Sequence, residues 1–236
     1  MTISIIIPTY NEEQNIGKLV KYLVSHRVNA DVDLIVADGG SKDNTVAEAE
    51  KAGATVVASP GKGRSAQMNY GASLAIGEVL YFVHADSIPP PDFESDIQKA
   101  IQQGFDLGRY RTKFDSPKKI LKINAWFTRF DLFICMGGDQ TLFVKRELFE
   151  TCSGFNENMQ IMEEYDFCKR AREHGKYKIM NDAALISARK YDTNSWLRVQ
   201  QANSKIVRMY KKGASQQEMV NAYHQMLHYR KNAFSK

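Results

Sequence analysis

The chain has 236 residues, of which 43% are hydrophobic and 25% are charged, which is the composition of a folded globular protein with one large core or two small ones. No stretch approaches the roughly 20 uncharged apolar residues of a membrane span, and the start MTISIIIPTY lacks the regions of a signal peptide, so we expect a cytoplasmic protein. The net charge of +5 is unevenly distributed, with −4 over residues 1–115 and +9 over residues 116–236.

Strands and helices alternate through the N-terminal part of the chain. The β-branched run from Ile3 to Ile7 is typical of a strand buried on both faces of a parallel sheet, and Pro8 ends it. Asn11 can cap the helix that follows. Further strands are predicted at residues 33–37, 55–58 and 78–84, and further helices at residues 43–52 and 64–75. This alternation predicts βαβ units and an α/β fold with a mostly parallel central sheet flanked by helices.

Further helices are predicted along the rest of the chain. Helices are expected at residues 92–102, 118–133, 163–173 and, with a break near Gly213, 196–229. We expect a domain over residues 1–190, with a nucleotide-binding half (1–87) and an acceptor half (88–190), and then a helical basic extension (191–236). The cations of the extension could attract phosphates or anionic lipid, and a solvated helix face explains them equally well. No recognised module accompanies them, so we do not expect nucleic acid as a partner.

Polar loops follow each of the first four predicted strands. In a parallel sheet the carboxyl ends of the strands share one edge, where ligands bind. A nucleotide site needs a planar surface for the base, hydrogen-bond partners for its edge and cations for the phosphates. Tyr10, Asp38 and the pair Lys62 and Arg64 supply these groups in turn. The sequence therefore predicts a nucleotide site at this edge.

Asp86 follows the fourth predicted strand, VLYFVHADS. A carboxylate there can bind Mg²⁺ or Mn²⁺, with diphosphate oxygens completing the coordination, although a capping role is also open. His84 is either a second ligand or a hydrogen-bond donor to phosphate. Three more carboxylates, Glu163, Glu164 and Asp166, lie at a predicted helix start, where they either complement the helix dipole or include a general base.

Five motifs occur in order along the chain. They are SIIIPTYNEE, LIVADGGSKDNTV, GKGRSAQMNYG, HADS and GFNENMQIMEEYDFCKRAREHG. In these motifs the chain resembles the family 2 glycosyltransferases of the GT-A fold, over roughly residues 2–188. The resemblance implies a Rossmann-like GT-A fold, a nucleotide-diphosphate sugar as donor and a divalent metal as cofactor.

The resemblance also implies roles for single residues. Pro8, Tyr10 and Glu12 belong to the nucleotide loop after the first strand, and Asp38 matches the aspartate that contacts the base. Gly39 replaces a second aspartate of that motif. Asn69 matches the asparagine of an Arg-Asn-x-Gly segment, in which Met68 replaces the arginine. Glu164 lies where the proposed catalytic base of the family lies, next to Glu163.

Two departures from the family pattern concern the metal. His84-Ala85-Asp86 replaces the usual Asp-x-Asp, and the late metal-ligating histidine is not evident. HADS, the segment GGDQ at 137–140 and SARK at 187–190 are similar to a bacterial subgroup of poorly assigned glycosyltransferases, in which the histidine is not a sign of inactivation. Arg189 could hold the diphosphate, and Gly138, Asp139 and Gln140 are candidates for contacts with sugar or acceptor hydroxyls.

These features predict a metal-dependent, inverting transfer of a sugar to an acceptor hydroxyl, the acceptor being a glycan, a lipid or a small molecule. A sugar nucleotidyltransferase and a non-catalytic nucleotide-sugar-binding protein are the alternatives. The segment KKILKINAWFTRFDLFICMGG is aromatic and basic. It is explained by core packing, by an acceptor groove or by peripheral contact with the inner face of the membrane.

Overall fold

The computed structural model describes residues 1–28, 32–132 and 140–227. The described strands are β1 (Ile3–Thr9), β2 (Asp33–Asp38), β3 (Thr55–Ala58), β4 (Val79–Phe82), β5 (Ser87–Ile88), β6 (Leu107–Asp115), β7 (Leu142–Lys145) and β8 (Tyr177–Ser187). The described helices are α1 (Ile16–His26), α2 (Thr45–Ala52), α3 (Arg64–Leu74), α4 (Phe93–Gln102), α5 (Lys119–Phe127), α6 (Arg146–Thr151), α7 (Glu163–Ala171), α8 (Lys190–Thr193), α9 (Trp196–Lys211) and α10 (Gln216–Met226).

These strands form a single sheet in the order β3-β2-β1-β4-β7-β6-β8-β5. The neighbours among β1 to β4 pair in parallel, as the alternation of strands and helices predicts. β7 runs antiparallel to both of its neighbours, β4 and β6. β8 is parallel to β6 and antiparallel to β5. The predicted α/β fold with a mostly parallel sheet is confirmed, and its second half is mixed.

The first strand is the most deeply buried part of the sheet. All seven residues of β1 are buried. Ile5 and Ile7 pack into the cluster on the α1 and α4 side, and Ile6 packs into the cluster on the α3 and α7 side. The prediction of a strand buried on both faces is therefore confirmed, and each of these isoleucines contributes about 1.5–3 kcal/mol of burial free energy.

The prediction that Pro8 ends this strand is wrong, because β1 continues to Thr9. Pro8 and Thr9 keep their parallel register with Ala37 and Asp38 of β2. Residues of a strand alternate in the side to which their peptide groups point, so Pro8 faces β4, as Ile6 does. Pairing with β4 stops at Ile6, and the N–H group that proline lacks is therefore not needed by the sheet.

The predicted cap at Asn11 is also wrong. α1 begins at Ile16, after Asn15. Asn11 has a left-handed backbone with φ 54°, its N–H donates to Ser41 Oγ, and its Oδ1 accepts from the backbone N–H of Lys42. Asn11 thus joins the loops that follow β1 and β2.

The predicted helix at 118–133 is shorter than expected, since α5 ends at Phe127. Thr128 stops it by accepting a hydrogen bond from the backbone of Thr112 in β6 while donating one to Ala125 O. Phe133 lies outside the described residues.

The C-terminal helices pack closely on the sheet domain. Val199 and Ala202 of α9 pack with Leu121 of α5 and with Tyr191. Ile206 of α9 and Met219 and Val220 of α10 pack with Ile161. A capping box formed by Ser215 and Glu218 begins α10. Of the helices in the described part of the chain, none is both long and apolar enough to cross a membrane.

Candidate active site

Side chains from six parts of the chain meet at the carboxyl edge of β1, β2 and β4. Strand ends supply Glu12, Asp38, His84 and Asp86, and the end of β8 supplies Arg189. The first residues of α3 and α7 supply Arg64, Glu163 and Glu164. Contacts among these side chains form two groups, one around Arg189 and one around Glu164, which include the ends of the first and fourth predicted strands. Asp38 and the exposed Lys62 of the third loop are in neither group.

Arg189 lies between two carboxylates. Its Nη1 and Nη2 donate to the two oxygens of Glu12 at 3.0 and 2.8 Å, which is the bidentate geometry that guanidinium favours. The same Nη2 lies 2.8 Å from Asp86 Oδ2. Asn15 Nδ2 also donates to Glu12. One cation is thus shared by two carboxylates.

The loop after β2 is shaped by hydrogen bonds to Asp38. Its Oδ2 accepts from the backbone N–H groups of Gly40 and Ser41 at 2.8 and 2.9 Å, and its Oδ1 accepts from Ser41 Oγ at 2.5 Å. Gln67 of α3 completes the arrangement, because its Nε2 donates to the carbonyl groups of Thr9 and Ala37. The first two strand ends are therefore held in a fixed relation.

Glu164 forms the centre of the second group. Its Oε1 lies 2.9 Å from His84 Nε2, and both side chains are less than a tenth exposed. The preceding residue, Glu163, pairs with Arg64 through a 2.7 Å contact between Oε1 and Nη2. Met162, with a left-handed φ of 67°, turns the chain into α7. The first turn of that helix favours the negative charge of both carboxylates.

Burial and pairing shift the pKa values of the His84 and Glu164 side chains. Burial raises the pKa of the Glu164 carboxyl above its ordinary value, and the attraction of His84 offsets this only in part. Burial alone would lower the pKa of the His84 imidazole, but the charge and hydrogen bond of Glu164 outweigh it and raise that pKa. A carboxyl with a raised pKa is suited to accept a proton from a substrate hydroxyl.

The other predicted site residues have varied surroundings. Tyr10 is half-buried beside the β1 edge, Pro8 and Ala85 are buried, and Lys62 is exposed. Asn69 bonds through its Nδ2 to Phe155 O and Glu157 Oε1, and its Oδ1 accepts from the Phe155 N–H. Through these hydrogen bonds Asn69 connects α3 to the segment before α7. Its predicted contact with the nucleotide stays a prediction.

The predicted contacts with sugar or acceptor fall mostly outside the described residues. Gly138 and Asp139 lie outside them, whereas Gln140 is buried and donates from Nε2 to Thr112 Oγ1 at 3.2 Å. Sequence reasoning missed Gln67, which lies inside a recognised motif, and Thr45, whose Oγ1 accepts from the Glu12 N–H. The sequence signal available for Gln67 was its place three positions after Arg64 on the predicted helix, which puts both residues on the same face.

One side chain of this site, that of Asp86, is suited to bind a divalent cation. Asp86 has the carboxylate that Mg²⁺ and Mn²⁺ prefer, and such ions are held by one or two carboxylates plus substrate phosphates. His84 Nε2 faces Glu164 and not Asp86. No group of three His, Cys, Asp or Glu side chains that could hold a metal occurs within residues 1–28, 32–132 and 140–227. The geometry favours Asp86 over His84 as a ligand.

Comparisons with known proteins agree on the family and the fold. The family model described as glycosyl transferase family 2 matches residues 4–155. The dolichol-phosphate mannosyltransferase of Pyrococcus furiosus is 29% identical over 112 residues, which are 45% of this chain and 32% of that protein. The chain therefore spans only about a third of that relative.

Two solved structures resemble the whole fold. The S. aureus TarS 1–349 structure in complex with UDP has a TM-score of 0.67 and 17% identity, and covers 96% of this chain and 70% of its own. The glucosyl-3-phosphoglycerate synthase of Mycobacterium tuberculosis was solved with Mn²⁺, UDP and glucosyl-3-phosphoglycerate. It has a TM-score of 0.60 and 19% identity, and the match covers 90% of this chain and 80% of that chain. At these identities the likeness shows the fold, which is that of the GT-A glycosyltransferases.

Proposed function

The chain belongs to glycosyl transferase family 2, and we propose that it transfers a sugar from a nucleotide-diphosphate sugar to an acceptor hydroxyl, with inversion at the anomeric carbon. The observation that carries this proposal is the buried Glu164–His84 pair, which lies at the same sheet edge as the Glu12–Arg189–Asp86 group. A base and a charged phosphate site are thus adjacent. Two structural relatives are described as complexes with UDP, which supports a nucleotide as donor.

The donor lies across the strand ends in this proposal. Tyr10 stacks on the base and Asp38 bonds its edge, while Lys62, Arg64 and Arg189 face the diphosphate. Gln140, with Gly138 and Asp139, contacts the sugar or the acceptor hydroxyls. The acceptor in this proposal is a glycan, a lipid or a small molecule that presents a hydroxyl group.

Asp86 is the side chain that would hold a divalent cation, together with diphosphate oxygens. When bound, the cation would supply Lewis-acid stabilisation of the leaving diphosphate. Arg189 Nη2 now lies 2.8 Å from Asp86 Oδ2, so a second cation at that carboxylate competes with it. We expect Arg189 to turn from Asp86 to the diphosphate when the donor binds, because guanidinium recognises phosphate in the same bidentate way as carboxylate.

Glu164 acts as the base. Its carboxylate accepts the proton of the acceptor hydroxyl while the hydroxyl oxygen forms a bond to the anomeric carbon. The bond from that carbon to the diphosphate oxygen breaks, and its electron pair leaves with the nucleotide. His84 holds Oε1 of Glu164 in place and stabilises its charged form. A single displacement of this kind inverts the configuration at the anomeric carbon.

Substitution of Glu164 by Gln tests this proposal. Gln keeps the size of the side chain and removes the base, so we expect transfer to fall by about 10²- to 10⁴-fold. Transfer is measured as nucleoside diphosphate released from nucleotide sugars with a panel of hydroxyl acceptors. The thermal shift caused by UDP, GDP or TDP, with Mn²⁺, Mg²⁺ or chelator, should stay as in the wild type.

Asp166→Asn is the matched control, since Asp166 lies on the same helix and pairs with Arg170 and Tyr210. It should change stability and leave transfer within a few-fold. Loss of the nucleotide shift in Glu164→Gln would move this residue to the donor site, and a product that retains configuration would exclude the mechanism. If no nucleotide stabilises the wild type, the donor-site assignment fails. A nucleotide-induced shift without any transfer would mean a non-catalytic nucleotide-sugar-binding protein, and release of pyrophosphate from a nucleoside triphosphate would mean nucleotidyl transfer.

A further inference from the structure

Helix α5 carries a row of large apolar side chains that face solvent. Ile123, Trp126 and Phe127 are each close to half exposed, at 48%, 47% and 47%. We call this row the α5 aromatic face, and it consists of Ile120, Ile123, Trp126, Phe127 and Phe130. The spacing of these residues places them on one side of a helix and the turn after it. Contiguous exposed apolar surface of this kind marks a site of interaction.

The opposite side of α5 is firmly attached to the domain. Leu121 is buried in the cluster with Tyr191 and Val199. Asn124 donates to Tyr191 Oη and accepts from Trp196 Nε1. Thr128 bonds to β6. These contacts fix the side that α5 turns inward, so the exposure of its aromatic face is a property of the folded chain.

Positive charge borders the α5 aromatic face. Lys119, Lys122 and Arg129 are exposed on the same helix and turn, and the Arg129 guanidinium lies 5.1 Å from the centre of the Trp126 ring. Asp131, the one acidic residue between positions 116 and 132, is 2.5 Å from Arg172. The apolar row is therefore bordered by cations whose charge is not neutralised within that segment.

We propose that the α5 aromatic face docks on an anionic lipid bilayer. Trp and Phe enter the interface between head groups and acyl chains, and Lys and Arg meet the anionic head groups. A second copy of the chain is a poorer partner, because a symmetric contact through this face would bring the same cations together. Tyr191, which contacts α5, is two residues from Arg189, so docking brings the candidate active site close to the lipid surface.

This docking goes beyond the transfer reaction and can fail independently of it, because vesicle binding requires neither donor nor acceptor. Flotation of the full chain with phosphatidylcholine vesicles, with and without phosphatidylglycerol, measures it. We expect binding only to the anionic vesicles. The chain has two tryptophans, so Trp196→Phe leaves Trp126 as the reporter, and its emission should shift to the blue on binding.

Two double variants locate the contact. Trp126→Ser with Phe130→Ser, and Lys119→Glu with Lys122→Glu, should each lower the bound fraction at least about tenfold. Two controls match them. Ile76→Ser replaces an apolar residue that is 79% exposed and lies outside α5, and Lys205→Glu with Lys211→Glu reverses two charges on α9. Both controls should bind vesicles as the wild type does. Unchanged thermal melting shows that each variant folds. The proposal is overturned if the α5 variants bind vesicles as well as the wild type does, or if the wild type binds neutral vesicles as well as anionic ones. It is also overturned if the wild type forms a dimer without lipid and the α5 variants are monomers.

Discussion

Gly39 replaces the second aspartate of the family pattern, and Gln67 gives a physical reason. A Cβ atom at Gly39 would lie 2.5 Å from Gln67 Nε2, which is too close for non-bonded atoms. Gln67 is buried and uses that nitrogen to bond Thr9 O and Ala37 O. The space of an aspartate side chain is thus taken by an amide that holds the ends of β1 and β2 together.

Gly39→Ala should therefore lower the free energy of unfolding by about 1–3 kcal/mol, as overpacking does. In a Gln67→Ala background the same substitution should cost much less, because the obstructing amide is gone. Urea unfolding of the four members of this double-mutant cycle measures the coupling free energy. Additive effects would show that Gln67 is not what excludes a side chain at position 39.

The roles of single residues were predicted unevenly. Asp38 and Asp86 were expected at one edge because parallel strands end together, whereas Glu164 and Arg189 were assigned from the resemblance to the family. The partner of His84 could not be predicted, since Glu164 is 80 positions away and the two meet only through tertiary folding. The cap predicted at Asn11 was wrong for the same reason. The backbone N–H and side chain of Asn11 bond instead to Ser41 and Lys42, in a loop distant in sequence.

Two helical glycines differ in what surrounds them. A Cβ at Gly71 of α3 would lie 2.6 Å from Ile6 Cγ2 in β1, whereas at Gly17 of α1 the nearest atom is the flexible end of Glu48, at 3.3 Å. Gly71→Ala should push α3 from the sheet and cost about 1–3 kcal/mol. Gly17→Ala should be neutral or stabilise by up to about 1 kcal/mol through helix propensity. Thermal melting of both variants checks this, and changes of equal sign would contradict it.

Asp106 joins β7 to the start of β8. Its carboxylate lies 2.7 Å from Lys145 Nζ and accepts the Lys176 N–H at 2.8 Å. Burial alone would raise the pKa of this carboxyl, but the hydrogen bonds and charges of Lys145 and Lys176 outweigh it and lower the pKa below 3.8. A lowered pKa in the folded state gives stability that is present above the unfolded pKa and lost as pH falls through the folded one.

Asp106→Asn should thus destabilise the protein by about 1 kcal/mol near neutral pH. The difference from wild type should stay constant down to about pH 5 and narrow below 3.8, the unperturbed value. Urea unfolding at a series of pH values measures it. Asp115→Asn, at the exposed end of β6, is the control. A difference that persists at the lowest pH would mean that the loss came from packing.

The strands of the first half of the sheet were predicted, and those of the second half were not. β3 was predicted to the residue, and β1, β2 and β4 within two residues at each end, because they are buried and rich in β-branched residues. β6 has the sequence LGRYRTKFD and β8 has YKIMNDAALIS. Their charged residues break the apolar pattern. They become strands through pairing with each other, of β6 with β7 and of β8 with β5. β6 and β8 were therefore missed, and β7 was missed as well, although its sequence LFVK is apolar.

At the scale of the whole molecule, the C-terminal helices support the candidate active site. Gln216 Oε1, at the start of α10, accepts hydrogen bonds from the backbone N–H groups of Gln160 and Ile161 at 2.9 and 3.2 Å. These residues lead directly into Met162 and the two glutamates of α7. The extension that the sequence predicts as a basic appendage thus holds the segment that positions Glu164.

Gln216→Ala should leave two N–H groups without their acceptor and lower the free energy of unfolding by about 1–3 kcal/mol. Because the loosened segment carries Glu164 and not the nucleotide loops, we expect the transfer rate to fall several-fold while the nucleotide-induced thermal shift persists. Hydrogen exchange at Gln160 and Ile161 should become faster. Gln217→Ala is the control, since Gln217 is exposed and bonds Asn221 on its own helix. A variant that loses stability but keeps its full transfer rate would show that α10 supports the fold alone.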